Sequence, residues 1–163
     1  MEPFATTLAI GIGATALTDL WSLARRWLLG TPSPDFGLVG RWFAHMATGT
    51  FRHDRIAGAR SVRGECVIGL TAHYLVGIAF AALLPALFGT SWIDAPTPGP
   101  ALLVGLGSVI APFFIMQPGM GLGIAAQRTP NPRAARLRTV VTHLVFGIGL
   151  YATAVAIPFI HGV

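Results

Sequence analysis

The chain has 163 residues, 53% of them hydrophobic and only 10% charged, with a mean hydropathy of +0.67. So few ionic side chains cannot solvate an ordinary globular surface, which leaves an integral membrane protein. The net charge of +5 comes from eleven arginines and no lysine. Because these arginines fall between apolar runs, they read as topology signals and contacts for anionic lipid headgroups, and nucleic acid is excluded as a partner.

The first apolar run, residues 4–24, is of spanning length, is interrupted by Asp19 and closes on Arg25 and Arg26. No basic residue precedes it, the reverse of a secretory signal peptide, so a retained helix is expected. Further spans are expected at about 66–88, 101–126 and 137–160, giving four transmembrane helices in a single membrane domain. Seven arginines lie between the first and second spans and four between the third and fourth. The positive-inside rule therefore places the loops at about 25–65 and 127–136 in the cytoplasm and both termini outside. Trp21, Trp27, Trp42 and Trp92 suit interfacial anchors. The one cysteine, Cys66, allows no intramolecular disulfide.

The long first connection opens with TPSPDFG, whose prolines stop the first helix. Phe36, Val39, Phe43 and Met46 then recur at three and four residues, which predicts a short helix on the inner interface. Beyond it, Arg52, His53 and Arg55 form a basic set around Asp54 that suits a phosphate or lipid headgroup.

An internal repeat is visible. LAIGIGATAL (8–17) aligns with LLVGLGSVIA (102–111), matching Gly11 to Gly105, and the segment of His73 aligns with that of His143. His73 stands four residues from Gly69 and from Gly77; His143 stands four from Thr139 and from Gly147. Each half holds two spans, so the expected architecture is two parallel two-helix repeats about an axis along the membrane normal, with His73 and His143 facing each other across it. Gly11, Thr15 and Asp19 form a further stripe at intervals of four, small enough at its first two positions for close helix packing.

At a rise of ~1.5 Å per residue, Asp19 lies ~9 Å from Arg25, His73 ~12 Å from Glu65 and His143 ~8 Å from Arg138, all on the cytoplasmic side. The three thus share one layer. Gln117 joins the list because it precedes Pro118 and a glycine-rich run, where the helix is expected to break and to free backbone carbonyls near Ile115 and Met116. Asp19 also has a structural reading, a snorkelling or histidine-bonded carboxylate that fastens the bundle.

The wording LVGRW, HDRIA, VRGE, AHYLVGIAFA, APFFIMQPGMGLGIAAQRTPNP and THLVFGIGLY resembles a family of small bacterial inner-membrane proteins classed as a domain of unknown function. The resemblance spans nearly the whole chain and implies a bacterial plasma-membrane location. It supplies no activity and no site residues.

Three functional classes stay open. One is a binding or permeation protein for a small solute or ion, oligomeric because four helices leave little room for a pathway, with Asp19, His73 and His143 as proton or cation carriers and Gln117 as a substrate contact. Another is a haem or divalent-metal protein, with His73 and His143 as axial ligands or joined by Asp19 around a metal. The third is an accessory subunit docking a partner membrane protein through small-residue stripes. A membrane enzyme ranks last, since the chain carries no nucleophile motif, CxxC pair, HExxH or phosphate-binding loop.

Overall fold

The computed structural model describes residues 2–160, which are helical throughout their ordered elements and contain no strand. Four stretches are long and apolar enough to cross a membrane: Pro3–Leu29, Glu65–Phe88, Pro98–Gly119 and Pro132–Ile157. Local signals explain most boundaries. Helix α1 (Pro3–Leu29) opens on a proline, whose missing N–H costs nothing in a first turn, and ends at Gly30, in the left-handed region at φ 63° with its N–H on the Arg26 carbonyl. Helix α2 (Phe36–Ala47) is capped by Asp35, whose carboxylate accepts from the Leu38 amide at 3.1 Å. Helix α3 (Glu65–Phe88) is followed by the short α4 (Ser91–Asp94) and by α5 (Pro98–Gly107). Helix α6 (Gln117–Gly119) is a single turn, and α7 (Pro132–Ile160) starts on a proline behind Asn131, whose side chain accepts from Ala134 N.

The chain forms two compact units, neither continuous in sequence. The first comprises the described parts of Met1–Ser33, Tyr74–Ser108 and Val141–Val163. Its core joins Ile10 and Ala14 of α1, Ala81 and Leu84 of α3, Trp92 of α4, Ala101 and Val104 of α5, and Phe146, Leu150, Ala154 and Ile157 of α7. Glycines set its helix contacts. A Cβ on Gly11 would stand 2.6 Å from the Ile78 Cα, and one on Gly77 would strike the Thr15 hydroxyl, so α1 and α3 meet backbone to backbone. Likewise Gly105 faces Gly147 across the α5–α7 contact, and Gly149 lies against Ala14. Without an apolar driving force in lipid, such close approach and the dispersion it permits hold helices together. The threonines of α1 fit the same logic. Thr15 and Thr18 are buried yet satisfied, each donating its hydroxyl to the carbonyl four residues back, at 2.7 and 2.9 Å.

The second unit comprises Pro34–His73 and Val109–Val140. Here Trp42, Ile56 and Met120 are buried together, with Leu38, Val39, Phe43, Met46 and Met116 packed around them. The predicted amphipathic helix is thus α2, but its apolar face covers protein. Trp42 is 3% exposed and donates Nε1–H to the Phe51 carbonyl at 2.8 Å, so it is a core residue instead of an interfacial anchor. Trp92 is likewise buried, in the first unit, on the Thr97 carbonyl. Gly69 lies against Phe36 and Gly40 of α2.

The third span departs from a continuous helix at 101–126. After Gly107 the chain loosens, Pro112–Met116 is a π-helical turn, and the helix stops at Gly119. The chain cannot continue helically beyond, because Gly121 and Gly123 have φ of 88° and 75° and Ala125 and Ala126 are also left-handed. Gly121 is required twice over: a Cβ there would run into the carbonyl of Asp54. The Met116 carbonyl, expected to be freed, accepts from the Met120 amide at 2.8 Å.

Candidate functional site

In the first unit, Asp19 of α1 accepts a 3.1 Å hydrogen bond from the Tyr74 hydroxyl of α3. A carboxylate in an apolar span is costly unless held by a donor, and Tyr74 supplies one. On α7, His143 Nδ1 stands 2.6 Å from the Ser108 Oγ, and that hydroxyl is also 2.6 Å from the Gly105 carbonyl. The carbonyl accepts only, so the serine proton goes to Gly105 and Ser108 becomes an acceptor towards the ring. The neutral His143 ring therefore carries its proton on Nδ1.

In the second unit, His73 has its ring centroid 4.9 Å from that of Phe36, tilted by 42°. Gln117 occupies the turn after the π-helical segment, and its own N–H reaches back to the Pro112 carbonyl. It is 7% exposed, and its Oε1 is buried with no hydrogen-bond partner among the described residues. Trp21 Nε1, Arg25 Nε and His53 Nδ1 share that condition. Gln117 differs from them in being a nine-tenths buried side chain presenting an amide oxygen, a strong acceptor, inside an interrupted span.

The loop that carries Arg52, His53 and Arg55 is folded onto the same unit. His53 N donates to the Gly119 carbonyl at 2.9 Å and Ile56 N to that of Met120 at 3.1 Å, so the HDRIA segment is fixed to the end of α6. Arg52, Asp54 and Arg55 point outward and are exposed. His53 is half-buried and pairs with His45 of α2, Nδ1 of His45 lying 2.8 Å from Nε2 of His53. His45 Nε2 faces the Arg60 carbonyl at 3.0 Å and must donate, so in the neutral ring Nδ1 accepts and His53 Nε2–H donates. Arg41 fixes the rest of the loop. It makes a two-point pair with Glu65, Nε to Oε2 at 2.9 Å and Nη2 to Oε1 at 2.8 Å, and its Nη1 donates to the carbonyls of Ile56, Ala57 and Ala59. The Glu65 hydrogen bond holds the Arg41 guanidinium above its already high ordinary value against the opposing effect of burial, so it stays charged.

The sequence reading named Asp19, His143, Gln117 and His53 but not Tyr74, Ser108 and His45, which the structure places against Asp19, His143 and His53. Tyr74 and Ser108 sit in apolar runs where one hydroxyl carries no signal, and His45 lies on the polar side of an amphipathic helix. Among the described residues no three His, Cys, Asp or Glu side chains are grouped to hold a metal ion, so the Asp19–His73–His143 metal option gains nothing from the geometry. No curated protein and no solved structure matches the chain. A family model described as "Protein of unknown function (DUF2938)" does match, over residues 8–157, and the chain belongs to that family.

Proposed function

We propose that the protein binds or conducts a small solute or ion that donates a hydrogen bond or positive charge, and that Gln117 is its contact in the third span. The observation that carries this reading is the buried, unpartnered Gln117 Oε1 beside the π-helical turn. An amide oxygen left unsatisfied in a low-dielectric interior costs about 1–3 kcal/mol, which a cation, an ammonium group or a hydroxyl would recover on binding. π-Helical turns are found disproportionately at functional sites, which supports the same assignment. Asp19 and His143 are the proton-exchanging groups of this reading, held by Tyr74 and Ser108. The arginine distribution supports both termini lying outside, and the family resemblance supports a bacterial inner-membrane location. The glycines aligned by sequence, Gly11 with Gly105 and Gly77 with Gly147, are the ones at which α1 meets α3 and α5 meets α7, which supports two parallel repeats.

The test is flux into proteoliposomes carrying a trapped pH dye, with Na⁺, K⁺ and ammonium gradients offered in turn. Gln117→Leu is expected to abolish the flux of the accepted ion while leaving thermal stability equal or higher, because the substitution removes an unsatisfied acceptor. Flux that persists at the wild-type rate in Gln117→Leu sinks the proposal.

A further inference from the structure

The second unit carries a separate pocket of about 390 Å³ between the end of α2 and the connection that leads into α3, with His45, Thr48, Arg60, Ser61 and Arg63 in its wall. Two guanidiniums and the Ser61 hydroxyl are donors of the kind by which proteins hold phosphate oxygens, while Thr48 spends its proton on the His45 carbonyl and the His45 ring serves as a wall. The neighbouring carboxylate does not cancel them. Glu65 is occupied by both prongs of Arg41 and by the Val62 amide at 3.0 Å, whereas the side chains of Arg60 and Arg63 make no ion pair or hydrogen bond among the described residues. The imidazole is also oriented. The Arg60 carbonyl and His53 fix both nitrogens of His45, so the ring edge and the loop that carries the arginines are tied into one frame. Depth agrees, since Arg63 lies two residues before the spanning helix that begins at Glu65, at the level where lipid phosphates sit.

We infer that this pocket binds an anionic phosphate group, presented either by a lipid headgroup or by a small soluble phosphate. It is distinct from the Gln117 site, and neither depends on the other. It also differs from the expected set, because Arg52 and Arg55 are outside the pocket wall.

The full chain in phosphatidylcholine nanodiscs is titrated with inorganic phosphate by calorimetry. In a second arm the discs contain phosphatidylglycerol, and the lipid retained by the protein is counted by native mass spectrometry. Binding of inorganic phosphate assigns a soluble ligand; selective retention of phosphatidylglycerol assigns a lipid. In whichever arm binds, the double variant Arg60→Gln/Arg63→Gln is expected to weaken binding about tenfold or more, and Arg133→Gln, a basic residue outside the pocket, to leave it unchanged. Both arginines are exposed, and if their loss nevertheless prevents folding, Ser61→Asp sets a carboxylate into the same wall and is expected to give the same loss. The inference is overturned if wild-type protein binds in neither arm, if the pocket variants bind as wild type does, or if Arg133→Gln weakens binding as much as they do.

Discussion

Gly69 and Gly107 are both glycines of apolar helical runs. A Cβ at Gly69 would run into the Phe36 carbonyl and stand 2.8 Å from Gly40 N, whereas one at Gly107 would meet nothing within 4 Å. Gly69→Ala must therefore push α2 off α3 and is expected to destabilise the protein by about 1–3 kcal/mol or more. Gly107→Ala, which only restricts the unfolded chain, should be neutral or stabilising by up to ~1 kcal/mol. Thermal unfolding of both variants in the same detergent checks the contrast, and equal melting temperatures would mean that the α2–α3 contact is not what Gly69 serves. The sequence singled out Gly69 as a small residue at helical spacing from His73, but not the helix that packs on it. What makes it necessary is a backbone some thirty residues earlier, which no local pattern records. His45 was overlooked on the same account, since its partners His53 and Arg60 reach it only through the fold.

At the scale of elements, α2 was legible because an apolar period of three and four is a local property. Its covering was not legible, because that comes from Ile56 and from Met116 and Met120, the last two some seventy residues later. The third span shows the same division: its apolar composition gave the crossing and Pro118 with its glycine run gave the break, but the fit of Gly121 against the Asp54 backbone was not legible. Arg41 is the tie between α2 and the 56–65 connection, serving Glu65 and three carbonyls at once. Lysine keeps the charge but offers no planar fork. Arg41→Lys is therefore expected to loosen the connection without unfolding the spans. The measurement is limited trypsinolysis: cleavage at the exposed Arg52, Arg55, Arg60 and Arg63 should accelerate severalfold, with helical circular dichroism unchanged. An unaltered cleavage rate would show that the loop is held by the pairing of His53 and Ile56 with Gly119 and Met120 alone.

For the molecule as a whole, the four spans followed from hydropathy, since length and composition suffice for that property. Their sidedness rests on arginine placement, and the single cysteine makes it easy to probe. In a Cys66→Ser background, Ser61→Cys should react with a membrane-impermeant maleimide in inverted vesicles and stay unlabelled in intact spheroplasts; the opposite pattern would invert the topology. The division into two discontinuous units also bears on how the protein is made. Residues 53 and 56 find their backbone partners only at 119 and 120, so when the ribosome has delivered α2 its indole and phenyl groups lack the cover of Met116 and Met120 for a further seventy or so residues. The nascent chain must shelter that face at the bilayer surface or with an insertion factor until the third span emerges. A chain stopped before residue 119 would keep two inserted helices and still present an adhesive, unfinished loop to the quality-control proteases.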